Sequence, residues 1–86
     1  VWSDLDAVPL INAARMSGIR VPEDLAIIGY DNSPMAVIPL VGLTSVDQNA
    51  AELGRTAAEV LLSRIDGREE ARHVLIEPHV EMRGST

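Results

Sequence analysis

The sequence predicts an α/β fold of the doubly wound kind, with parallel strands flanked by helices. Three observations carry this. The run Leu25-Ala26-Ile27-Ile28-Gly29-Tyr30 is apolar without alternation, the pattern of a strand covered on both faces. Helical periodicity precedes it over Asp4 to Ser17 and returns from Asn49 to near Asp66. The composition is 47% hydrophobic with no Phe, one Tyr and one Trp, so a core has to be built from Val, Leu, Ile, Ala and Met. At 86 residues the chain buries proportionally little surface, and that core is thin.

In the first helix Val8, Leu10, Ile11, Ala13 and Ala14 recur at helical spacing and Gly18 follows as a C′ residue. Pro9 removes a backbone hydrogen bond if Asp4 caps the helix but not if Asp6 does, so the helix either starts late or kinks. The polar stretch Ile19 to Asp24 is a loop leading into the apolar strand. Asp31, Asn32, Ser33 and Pro34 follow at the strand's C-terminal end, where open parallel sheets bind ligands, and Pro34 is placed to open a short helix over Met35 to Ile38. Leu43 to Val46 reads as another short strand. Asn49 with Glu52 three residues on resembles a capping box for a long helix whose buried stripe is Leu53, Ala57, Val60, Leu61 and Ile65. After a charged turn, His73 to Ile76 and His79 to Met82 read as strand segments interrupted by Pro78, which favours an edge or a crossover.

The charge balance excludes some functions. Net charge is −6, all seven basic residues are Arg, and a surface of this sign repels phosphate backbones, so direct nucleic-acid binding by this segment is not expected. No Cys is present, which removes disulfides, thiolate metal sites and Cys nucleophiles and fits a reducing cytoplasm. No stretch approaches a membrane span. Val1 is not a natural start residue, and the chain is expected to begin in mid-protein. His73 and His79 have no second ligand at metal spacing and are assigned to the surface or an edge strand. Ser33, Ser45 and Ser63 lack a nucleophile-elbow context, and the pairs Glu23/Asp24 and Glu69/Glu70 read as solvated charges. The sequence therefore predicts no enzyme, no cofactor and no metal.

The stretch Gly18-Ile19-Arg20-Val21-Pro22-Glu23-Asp24-Leu25-Ala26-Ile27-Ile28-Gly29-Tyr30-Asp31-Asn32 closely resembles a hallmark segment of the LacI/GalR family of bacterial transcription repressors. The match continues through Leu43-Thr44-Ser45-Val46-Asp47-Gln48, Glu52-Leu53-Gly54 and Val80-Glu81-Met82-Arg83-Gly84-Ser85, and so covers essentially the whole chain. The resemblance implies the last third of a cytoplasmic repressor, in which a helix-turn-helix is joined to a periplasmic-binding-protein-like sensor of two α/β subdomains. Residues 1–43 would belong to the C-terminal subdomain and 44–48 would cross a hinge. Residues 49–72 would lie on the other subdomain, and 73–86 would cross back and supply the C-terminal strand. Such a fragment is expected either to associate with copies of itself or to rearrange.

The resemblance also names residues. Asp31 would hydrogen-bond a small polar effector, sugar or nucleoside-like; otherwise it caps the short helix or satisfies loop amides. Ser3 falls where a polar effector contact is common, and Asp4 beside it is assigned as the helix N-cap. Gln48 either turns toward the cleft or is solvated just before the long helix. Trp2 either stacks on a sugar or base ring or sits half-buried at a strand end. Family dimers would use Val8, Ile11, Met35, Val37, Ile38 and Leu40 here, with plain core as the alternative for each. Operator DNA would be met only through an N-terminal domain outside this chain. A transporter's periplasmic sugar-binding protein shares the fold and is the alternative reading. An enzyme on the same sheet would need a nucleophile or metal set at Asp31 that the sequence does not supply.

Overall fold

A computed structural model describes residues 1–86. The order is α1 (Asp4–Met16), β1 (Ile28–Tyr30), β2 (Thr44–Asp47), α2 (Ala50–Ile65) and β3 (His79–Glu81). The sheet runs β1-β2-β3, with β1 and β2 parallel and β3 antiparallel at the edge. The edge position suits a strand that follows Pro78, while 73–76 forms no strand.

α1 begins at Asp4 and runs through Pro9 without a late start. Its N-cap is Ser3, not Asp4: Ser3 Oγ accepts from the Asp6 N–H at 3.3 Å. Asp4 instead turns inward with Ala7, Ile11 and Ala14, a buried stripe at three- and four-residue spacing. Two of those residues are alanines, which lets the helix lie close to the sheet, while Leu10 stays exposed. Ala7 and Ile11 join Ile27, Ala36 and Leu43 in the one core cluster, flanked by Val21 and Val41. Ile11 is thus a core residue, the alternative to a dimer-interface role, because the helix turns it onto the sheet.

The strand after the loop is shorter than the sequence suggests and is covered on one face only. Gly29 points inward, while Ile28 and Tyr30 are each more than a third exposed. Pro34 opens hydrogen-bonded turns rather than a helix, with Ala36 N–H donating to Ser33 O and Val41 and Gly42 N–H to Ile38 O. Pro39 restricts Ile38 to extended backbone, so the window between the two prolines is too short for a helix.

The C-terminal tail fastens the sheet. Buried Ser85 accepts from Thr44 N–H at 2.8 Å and donates to Ile27 O at 2.6 Å, bridging the entries of β1 and β2. α2 stands apart, and the molecule extends 59 × 17 × 17 Å. No α2 residue is buried, so the predicted stripe is an exposed apolar face, with Leu61 and Ile65 at 60% and 70% exposure. The capping box does not form either. Asn49 sits at φ 61° with no side-chain cap bond, and Glu52 pairs with Arg55.

Candidate functional site

The end of β1 and the start of α1 face each other across an open pocket of about 480 Å³, lined by Val1, Trp2, Ser3, Tyr30 and Asp31. The pairing Tyr30↔Val46 sets the height of this rim, and the Val1 nitrogen donates to Ile28 O at 2.9 Å, holding the first residues beside β1. Trp2 is 90% exposed, so its ring is free to cover a ligand. Gln48, just past β2, donates from Nε2 to Asp31 Oδ1 at 3.2 Å. The four residues singled out for effector contact, Asp31, Ser3, Trp2 and Gln48, are thereby brought to one place. Ser3 serves α1 as well, since its Oγ also donates to Asp6 Oδ2 at 3.2 Å. The outward rim is polar at Asp31, Ser3 and Gln48 and aromatic at Trp2 and Tyr30, a surface suited to a small hydroxyl-bearing ring.

Asp31 is held in an unusual backbone state. Its φ is 108° and that of Asn32 is 49°, both in the left-handed region that non-glycine residues seldom adopt. The Asp31 N–H donates to Val46 O at 2.8 Å. Asn32 then ties the pocket to β2 and to the tail that follows β3: its Nδ2 donates to Asp47 Oδ2 at 2.9 Å, and its Oδ1 accepts from Arg83 Nη2 at 2.6 Å. Arg83 also reaches Leu43 O at 2.8 Å. Residue-by-residue reading missed Arg83 and Asn32; only the register of the tail against β2 brings them together.

His79 has the acidic neighbours that the sequence did not reveal. Register pairs it with Asp47, and alternation along β3 puts Glu81 on the same face. His79 Nε2 lies 2.9 Å from Glu81 Oε1 and 3.8 Å from Asp47 Oδ2, and the three groups have ligand-type atoms within 4.8 Å of one another. The Asp47 carboxyl is held below its ordinary value, first by the Asn32 side chain and then by the Asn49 N–H, with His79 and Arg83 adding to the effect. His73 joins no such group. A second groove of about 630 Å³ runs between α2 and residues 68–76, lined mainly by apolar side chains including Leu53, Val60, Leu61, Val74 and Ile76. No residue predicted for effector contact lines it.

A thin α/β unit with a polar pocket at the C-terminal end of a parallel strand has the architecture of a small-ligand-binding domain. The chain belongs to the periplasmic binding protein-like domain family, which it matches over residues 1–86, and within it to the LacI/GalR type. It is 38% identical over 85 residues to the HTH-type transcriptional repressor PurR of Aliivibrio fischeri, covering 98% of this chain and 25% of that protein. A solved complex of the transcriptional regulator CelR with cellobiose matches with a TM-score of 0.92 and 38% identity, over 99% of this chain and 26% of the other. A LacI family regulator from Enterococcus faecium, solved with bound ribose, gives a TM-score of 0.83 and 37% identity over 99% of this chain and 32% of that one. The chain spans about a quarter of the length of the curated relatives it matches. Its backbone follows that of the CelR complex over nearly the whole chain.

Proposed function

We propose that this chain is the effector-facing, lobe-crossing part of the sensor domain of a LacI-type transcription repressor, binding a small hydroxylated effector at Asp31. The observation that carries the proposal is the convergence of Asp31, Ser3 and Trp2 on one pocket with Gln48 bonded to Asp31. A carboxylate offers two acceptors to vicinal hydroxyls, and an exposed indole offers a face to the C–H side of a pyranose or furanose ring. Relatives solved with cellobiose and ribose support a sugar over a nucleoside. That the relatives are transcription regulators supports a repressor over a transport receptor, a cytoplasmic setting, and binding without bond-making.

In this reading residues 1–43 belong to the C-terminal lobe, 44–48 and 73–86 are the crossings, and 49–72 belong to the other lobe. An effector that binds the closed arrangement more tightly than the open one shifts the population between them. Val37, Ile38 and Leu40 are exposed and Met35 and Val8 half-buried, and they form the dimer contact in this account. DNA is met through a segment outside this chain.

The test uses the full-length protein on a labelled operator. Asp31→Ala is expected to leave operator affinity intact and to abolish the response to sugar. A variant that responds like wild type would remove Asp31 from the site.

A further inference from the structure

Building on that reading, we propose that Asp4 and Ser45 are positioning residues: together they lock the left-handed Asp31-Asn32 turn that aims Asp31 into the pocket. Neither touches the pocket. Asp4 and Ser45 are both buried, at 1% and 0% exposure, and Ser45 Oγ donates to Asp4 Oδ1 at 2.6 Å. A hydroxyl has one proton to give, so this bond turns the Ser45 lone pairs outward, where they accept the Asn32 N–H at 2.9 Å. The second Asp4 oxygen accepts the Ser33 N–H at 2.6 Å. The two amides directly after Asp31 are therefore both held by one buried Ser-Asp pair.

This arrangement has a sequence cost at a third position. A Cβ on Gly29 would meet Asp4 Oδ1 at 2.3 Å and Leu43 Cδ2 at 2.8 Å, so the strand leaves room for the carboxylate at that point. Asp31 at φ 108° and Asn32 at φ 49° adopt backbone states that relax readily unless the surroundings fix them. The Ser-Asp pair fixes them from inside, and the Val46 carbonyl, accepting from Asp31 N–H at 2.8 Å, fixes them from the strand. An N-cap role would explain an Asp near a helix start, but Ser3 fills that role and Asp4 is spent on the turn.

The test combines amide hydrogen exchange with calorimetric titration of ribose and cellobiose, on full-length wild type, Ser45→Ala, Asp4→Asn and Ser45→Thr. In Ser45→Ala and Asp4→Asn the Asn32 and Ser33 amides should exchange at least about tenfold faster while the protein still melts cooperatively. Any sugar bound by wild type should bind about tenfold more weakly, and Ser45→Thr, which keeps the hydroxyl, should restore both. If Ser45→Ala fails to fold, Asp4→Asn carries the test, because it keeps one acceptor and the side chain's volume. Unchanged exchange at both amides would overturn the positioning role, as would faster exchange with unaltered sugar affinity. Faster exchange in a protein whose wild type binds neither sugar would keep the turn-locking role and sink the sugar reading instead.

Discussion

Gln48 Nε2 donates to Asp31 Oδ1 at 3.2 Å, joining the residue after β1 to the residue after β2. The two strands are parallel neighbours, so their C-terminal ends meet at one rim although 17 positions separate the side chains in sequence. The bond is exposed and open to exchange with a ligand hydroxyl.

Gln48→Ala is expected to weaken effector binding by three- to tenfold, on the order of one neutral hydrogen bond, about 0.5–1.5 kcal/mol. Calorimetry on the full-length protein measures it, and a variant that binds as tightly as wild type would place Gln48 outside the site.

Gly29→Ala should destabilise the fold. The added methyl would lie 2.3 Å from Asp4 Oδ1 and 2.8 Å from Leu43 Cδ2, and both neighbours are buried. Overpacking of this kind costs about 1–3 kcal/mol, read as a shift in urea midpoint at constant slope. A midpoint equal to wild type would show that the Asp4 carboxylate is not wedged against this strand.

Asp47 makes part of the acid stability. Its carboxyl is held low by Asn32 and by the Asn49 N–H, so it favours the folded state at neutral pH. That contribution is fully present above the unfolded-state value of about 3.9 and is lost as pH falls through the lower folded-state value. Asp47→Asn should flatten the pH dependence of stability in this window, leaving the slope due to Asp24 and Glu52, whose carboxyls are also held low by Arg20 and Arg55. An NMR titration placing Asp47 at or above the ordinary carboxylate range would contradict this.

The face of α2 is apolar and open, with Leu61, Leu62 and Ile65 all more than half exposed. The 86-residue chain should therefore self-associate at high concentration, and Leu61→Glu with Ile65→Glu should return it to a monomer without loss of helix content. Sedimentation and circular dichroism test both parts; a wild-type chain that stays monomeric would show that the face needs no cover.

Asp31 was legible as a candidate because it follows an apolar strand at the end where parallel sheets bind ligands, while Ser3, Gln48 and Trp2 were named only by the resemblance. Asp31 stands at that end of β1 and lines the pocket there. The helices were legible from periodicity, with α2 within a residue or two of its expected ends. What escaped the sequence depends on packing and register. Ser3 and Asp4 are equally good caps by type, and only the buried Ser45 and the Ser33 amide decide that Asp4 turns inward. Ile11 and Leu10 are equally apolar, and the sheet buries one of them. The exposed stripe of α2 carries the same pattern as a buried one, since periodicity reports which face is apolar and not whether anything covers it. His79 met Asp47 only because β3 returns antiparallel in that register.

The central claim is that Asp31 holds a hydroxylated effector, and the most direct measurement is calorimetric titration of ribose and cellobiose into full-length wild type and Asp31→Ala. The account predicts saturable binding of at least one sugar to wild type and a loss of about ten- to a hundredfold in the variant, the scale of a charged hydrogen bond. Equal affinity in the two proteins, or no binding of either sugar to wild type, would contradict it.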